Sequence, residues 1–204
     1  MKPGAKPSRE GRWLVIALAV LSLGGVVASF VIIESGWRPS VTTNYGELVK
    51  PARPIRDVML MNLDGAPTSF SMFHGKWRLI YFGSAECLKP CLDDLYKMRQ
   101  ITAAQGTDAH RVQRLFVVTD AAALDLLRYT LADYPGTGVL RGSPEAVREL
   151  ASQFNVPAGT ALEGLQRIYL VDPLGNLMMS YPSDADPRRM NDDLRLLLRA
   201  SHIG

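Results

Sequence analysis

The sequence predicts an α/β domain carried on a single transmembrane helix, and three observations predict it. From about residue 55 onward, strand-like and helix-like apolar spacing alternate. Two cysteines, Cys87 and Cys91, follow the first continuous apolar strand run. An uncharged apolar run at 13–33 lies near the N-terminus.

The apolar run reads WLVIALAVLSLGGVVASFVII. Roughly twenty such residues span a bilayer as a helix. A cleaved signal peptide is the alternative, since Val26, Val27 and Ala28 could pass as a cleavage site. The run continues through Phe30 to Ile33 past that site and is too long for a signal segment, which favours an uncleaved anchor. The formal net charge of +3 locates the two sides: Lys2, Lys6, Arg9 and Arg12 against Glu10 account for all of it, and from Glu34 onward acids and bases cancel. Basic residues before the run and an acid after it place the N-terminus inside. The expected layout is a cytoplasmic basic tail at 1–12, an anchor at 13–33, a linker at 34–54 and a folded domain at 55–204. That domain would be periplasmic, on a bacterial-type inner membrane. A neutral exported domain gives no support for nucleic acid as a partner.

The elements follow in order. Gly36, Pro39, Pro51 and Pro54 mark the linker, although Tyr45, Leu48 and Val49 are apolar enough to pack on the domain. Val58 to Leu63 runs into Asp64-Gly65, a hairpin turn signal, with 68–71 as its partner. Trp77 to Phe82 is a buried strand. A helix from about Pro90 to Gln105 carries Leu92, Leu95, Tyr96 and Met98 on one side. Leu115 to Val118 is the next buried strand, 121–132 a helix, and Gly138 to Arg141 a short strand. Ser143-Pro144-Glu145 opens a helix with an N-cap serine, a proline in the first turn and an acid beside it. Arg167 to Val171 is a strand, Asp172 to Gly175 a turn, and Leu177 to Tyr181 the returning strand. A closing helix, 187–200, has Met190, Leu194, Leu197 and Leu198 as its apolar face.

The chemistry lies in Cys87-Leu88-Lys89-Pro90-Cys91, at the carboxyl end of the first buried strand, where α/β sheets place their sites. Pro90 biases Lys89 away from helical geometry and itself suits the first helical position, putting Cys91 inside the first turn and Cys87 just ahead of it. One helical turn between them lets the sulfurs converge. The helix N-terminus favours a thiolate and Lys89 adds to that, while Glu86, Asp93 and Asp94 oppose it, so Cys87 is expected to be modestly activated and the more exposed of the two. The pair can cycle as a thiol–disulfide couple, hold a soft metal, or form an inert bridge.

Other candidates read as structural. His74, His110 and His202 fall in polar loops or at the chain end. Met59, Met61, Met72, Met178 and Met179 fall at core or sheet positions. Ser84 and Cys87 have the Ser-x-x-Cys spacing of peroxide-reducing enzymes, but Ile80 stands where those carry proline.

From Met61 to Cys91 the chain resembles the thioredoxin-like Sco/SenC proteins: Leu63-Asp64-Gly65, Phe70 through Trp77, Leu79 through Gly83, then the C-x3-C pair. Later segments fit as well, at 115–120, at Gly142 to Glu145 and at Tyr169 to Gly175, so the resemblance covers about 55–200. It implies a thioredoxin-like fold with an N-terminal β-hairpin, preceded by the transmembrane helix. It also implies a role in assembling the copper centre of cytochrome c oxidase, with an oxidase subunit or assembly factor as partner and copper as ligand. The sequence departs from the family twice. Leu92 stands where the family has proline. Leu162-Glu163-Gly164-Leu165-Gln166 holds no histidine where the family's copper ligand lies. Nor does a proline directly precede the strand at 167, as it does in thioredoxins. Cys87 and Cys91 alone can hold Cu(I), whereas Cu(II) should bind poorly. Three functions follow: a thiol–disulfide oxidoreductase on exported proteins, a Cu(I) metallochaperone, or a non-catalytic scaffold with a structural disulfide.

Overall fold

The structure, a computed structural model, describes residues 9–35, 44–162 and 166–201. Residues 1–8 of the basic tail expected at 1–12, the linker segment 36–43, residues 163–165 and residues 202–204, with His202, lie outside them. The chain divides into two units, Met1–Thr43 and Asn44–Gly204.

In the first unit, α1 (Arg9–Glu34) is a helix of 26 residues. Its portion Trp13–Glu34 is long and apolar enough to cross a membrane. The Ser22 and Ser29 hydroxyls donate to the Leu18 and Gly25 carbonyls one turn back, so neither leaves a bare polar group facing lipid.

The second unit is built on a six-stranded sheet of order β1-β8-β7-β4-β5-β6. Its strands are β1 (Glu47–Pro54), β4 (Trp77–Ser84), β5 (Val112–Asp120), β6 (Thr137–Leu140), β7 (Arg167–Val171) and β8 (Asn176–Pro182). A separate two-stranded hairpin pairs β2 (Met59–Met61) with β3 (Pro67–Ser69). Met61 and Arg141 exchange backbone hydrogen bonds of 2.7 and 2.8 Å, which fasten this hairpin beside β6. The helices are α2 (Lys89–Ala103), α3 (Leu124–Leu131), α4 (Pro144–Ala151) and α5 (Pro187–Ala200).

Strand β4 lies at the centre, parallel to β5 and antiparallel to β7. Being covered on both faces, it reads as a nearly continuous apolar run. Trp77, Leu79 and Tyr81 face the core under α2 and α5, and Ile80 and Phe82 face the core under α4 and the hairpin. Arg78 is the exception. It is fully buried, its Nη2 donates to the Asp172 carbonyl at 2.8 Å, and its guanidinium lies over the Phe70 ring. Burial pulls its pKa down to about 10, against the opposing pull of Asp172.

The linker expected at 34–54 ends earlier, because Glu47–Pro54 joins the sheet as the edge strand β1, paired antiparallel to β8. Its prolines are tolerated because an edge strand needs hydrogen-bond partners on one side only. On α2, Tyr96 points to solvent and Asp94 is buried in its place. Met179 is in the core as expected, but Met59 and Met72 are 62% and 71% exposed. The helix at 143–154 keeps its predicted cap, with Ser143 Oγ accepting from the Ala146 amide at 3.2 Å, and closes in a short 3-10 turn.

Candidate functional site

Two of the predicted site residues come together as a bonded pair. Cys87 and Cys91 form a disulfide, with Cα atoms 5.1 Å apart. The loop carrying Cys87 is set by β4 and β5: the Ala85 amide donates to the Asp120 carbonyl at 2.8 Å, and the Cys87 amide donates to the Ser84 carbonyl at 3.1 Å. This tight turn holds Cys87 at φ +40°, the left-handed region that a side-chain-bearing residue enters at a cost. Leu88 is then extended as the N-cap of α2, Lys89 opens the helix, and Cys91 is its third residue. The helix therefore starts at Lys89, one residue earlier than expected, despite the bias that Pro90 imposes; Pro90 still lies in the first turn, whose amides have no partner within the helix.

The expectation that Cys87 is the more exposed cysteine is also corrected. In the bonded state both are buried, at 4% for Cys87 and 6% for Cys91, within the core between the sheet and α2. The bridge forms the floor of an open groove of about 230 Å³. Residues of β4, the start of α2, Thr119 at the end of β5, and the Ala161–Leu162 stretch before β7 surround it. Neither Thr119 nor Ala161 carries a sequence signal for the site, whereas Leu162 and Gln166 belong to the segment that the family resemblance marks as the place of a copper ligand.

Electrostatically, the disulfide lies beside the N-terminal turn of α2, whose free amides favour a thiolate at Cys91. Lys89, expected to add to this, is engaged elsewhere: its Nζ bonds Asp93 at 2.8 Å on the exposed side of the helix. One turn below Cys91, the buried Asp94 accepts from Lys97 Nζ at 3.0 Å. Burial drives the Asp94 carboxyl above its ordinary value, with Lys97 opposing. Burial and, second, the charge of Asp94 push the Tyr81 phenol upward, so Tyr81 presents a neutral ring to the groove. The spacing of Asp94, three residues from both Cys91 and Lys97, was the available sequence signal for this pair.

The histidines lie elsewhere. His74 is exposed before the start of β4, at the opposite end of that strand from Cys87, and His110 is exposed with Nδ1 against the Thr107 carbonyl at 2.7 Å. Among the described residues, no group of three or more His, Cys, Asp or Glu side chains could hold a metal ion. Among the described residues lining the groove there is no histidine beside the two sulfurs.

A family model described as "Transmembrane-like, thioredoxin-like, C-terminal domain" matches residues 77–201, from the start of β4 through α5. The chain belongs to this family. It is a Sco-like thioredoxin-fold protein, as the resemblance implied. The mitochondrial SCO2 homolog of mouse is 28% identical over 171 residues, which cover 81% of this chain and 66% of the relative. The Sco-like chain thus spans about two thirds of that relative's length. Among solved structures, apo Sco1 from Thermus thermophilus is 27% identical with a TM-score of 0.60, covering 79% of this chain and 99% of that one. Yeast Sco1 with copper bound is 22% identical with a TM-score of 0.63, covering 75% of this chain and 96% of that one.

Proposed function

We propose that this Sco-like protein is a membrane-anchored thiol–disulfide oxidoreductase of exported proteins. It would assist the assembly of cytochrome c oxidase or of another exported redox protein. The observation that carries this reading is the Cys87–Cys91 disulfide at the floor of an open groove. An inert bridge needs no groove leading to it. In the proposed topology the N-terminal tail is cytoplasmic, α1 spans a bacterial-type inner membrane once, and the thioredoxin-like domain faces the periplasm.

Starting from the dithiol, which an external thiol reductant must regenerate after each turnover, the exchange runs in two steps. The Cys87 thiolate attacks one sulfur of a target disulfide; a Cys87–target bond forms and the other target sulfur leaves as a thiolate. The Cys91 thiolate then attacks Cys87, the mixed disulfide breaks, and the target departs with both its sulfurs reduced. Two electrons pass to the target and the Cys87–Cys91 bond is restored. Cys87 is the attacking group because it precedes the helix, whereas Cys91 is held within the first turn of α2. The Cys91→Ser variant should accumulate a mixed disulfide between Cys87 and an exported protein, reversible by reductant. Failure to trap any partner in cells that need the protein refutes the mechanism.

A second reading treats Cu(I) as cargo, held between Cys87 and Cys91. Its support is the adjacency of the two sulfurs and the likeness to a yeast protein solved with copper bound. Anaerobic Cu(I) titration of the reduced chain against a competing chelator, with the Cys87→Ser/Cys91→Ser double variant as control, tests it. Stoichiometric cysteine-dependent binding establishes the copper site; chelator retention of all the copper removes it.

A further inference from the structure

Among the described residues, the groove over the disulfide is lined mainly by apolar side chains and by one charged residue. Tyr81, Phe82 and Pro90 line it, and Leu88 and Leu162, at 68% and 40% exposure, present hydrocarbon to solvent at its rim. The charged lining residue is Glu86, immediately before Cys87 and exposed. Among the described residues no cation pairs with its carboxylate. Lys89, the nearest cation in sequence, is bonded to Asp93 instead. Asp120, one residue beyond the lining Thr119, uses its Oδ1 to accept from the Ala122 amide and adds no positive charge.

An unpaired carboxylate at this position has a direct chemical consequence. Thiol–disulfide exchange begins with a negative charge on Cys87 and spreads it over three sulfurs in line. Glu86 repels that charge at every stage. A cation brought by the substrate would neutralise Glu86 and offset the developing sulfur charge together, whereas an anion would add to the repulsion.

From this charge complementarity, which rests on the oxidoreductase reading above, we infer that the groove selects a cysteine-bearing segment with a lysine or arginine beside its cysteine and an apolar side chain next to that. The basic residue lies against Glu86, and the apolar one packs on Leu88 and Leu162. In the first step, Cys87 and the segment's cysteine form the new sulfur–sulfur bond while the segment's former partner sulfur leaves as a thiolate.

The test uses the full chain in non-ionic detergent with Cys91→Ser, so that Cys87 is the sole thiol. Two pentapeptides are compared, Leu-Lys-Cys-Lys-Leu and Leu-Glu-Cys-Glu-Leu, each as a mixed disulfide with thionitrobenzoate, whose release is followed by absorbance. The lysine peptide should react about tenfold faster at low ionic strength, and the advantage should shrink as salt is added. Glu86→Gln should remove most of that advantage, and Glu86→Lys should reverse it. A preference that survives both substitutions, or equal rates with the Glu86 chain, overturns the inference while leaving the redox reading intact. Release no faster than from a Cys87→Ser/Cys91→Ser chain overturns the redox reading, and the inference with it.

Discussion

Asp193 is a buried carboxylate that accepts from three donors, and removing it should detach the N-terminal segment from the fold. Its carboxylate is almost fully buried on α5, 3% exposed. It accepts from the Tyr45 amide at 3.0 Å, the Gly46 amide at 2.8 Å and the Tyr181 hydroxyl at 3.2 Å. Tyr45 is held further by the Asp186 amide, which donates to its hydroxyl, and by the Arg189 guanidinium over its ring. Asp193→Ala leaves three donors without an acceptor, two of them in buried residues. At about 1–3 kcal/mol for each group so stranded, with water reaching Tyr45 most easily, the loss should be about 3–5 kcal/mol. For a chain of this size that corresponds to a melting temperature lower by roughly 6–20 °C. The decisive assay is native-state hydrogen exchange. Amides of β1 and β8 should lose protection first, while β4, β5 and the core of α2 open only with global unfolding. A loss under about 1 kcal/mol, or uniform loss of protection across the sheet, refutes the assignment of Asp193 as the tie.

Three further outcomes follow from the same contacts. Gly46→Ala should destabilise the same segment, because a Cβ there collides with the Met179 and Tyr181 side chains; it should mimic Asp193→Ala in hydrogen exchange while leaving α5 intact. Asp94 has a raised carboxyl pKa when folded, so its contribution to stability is fully present below the ordinary aspartate range near about 4 and is lost as pH rises through the folded value. Urea unfolding at a series of pH values should therefore show Asp94→Asn gaining on the parent chain from acid toward neutrality; an unchanging difference contradicts this. Reducing the disulfide should cost only about 2 kcal/mol, because the loop it closes is short, and far-UV circular dichroism should show the domain still folded.

The legible part of the fold was whatever its periodicity had to declare. The strands at 77–82 and 167–171 and the helix at 187–200 came through because burial on one or both faces leaves a repeating apolar signature, and the cap at Ser143 because serine, proline and glutamate in that order suit a helix start. The position of Cys87 and Cys91 after the first buried strand was legible for the same reason. The conformation there was not. A left-handed cysteine carries no compositional mark, and its surroundings include Ala161, which arrives from a distant part of the chain. Strand β1 was missed because its prolines read as punctuation, and only its edge position permits them.

The buried charges were the other illegible class, and they bear on how a redox cycle can leave the site in place. Asp94 and Asp193 occupy single positions on otherwise amphipathic helices, where a lone polar residue reads as solvated. In the fold they face inward from α2 and α5, which pack against each other over one face of the sheet. Lys97 links Asp94 to the Ser183 carbonyl just before α5, and Tyr181 of β8 reaches Asp193. These ties join α2, β8 and α5 without passing through either cysteine. The disulfide contributes about 2 kcal/mol, whereas Asp193 alone is expected to contribute more. Opening the bridge therefore leaves the helix that carries Cys91 anchored from below. In the proposed cycle the groove should therefore survive reduction, and Cys87, freed from its bond, should be the part of the site that leaves its left-handed turn to meet a partner's sulfur.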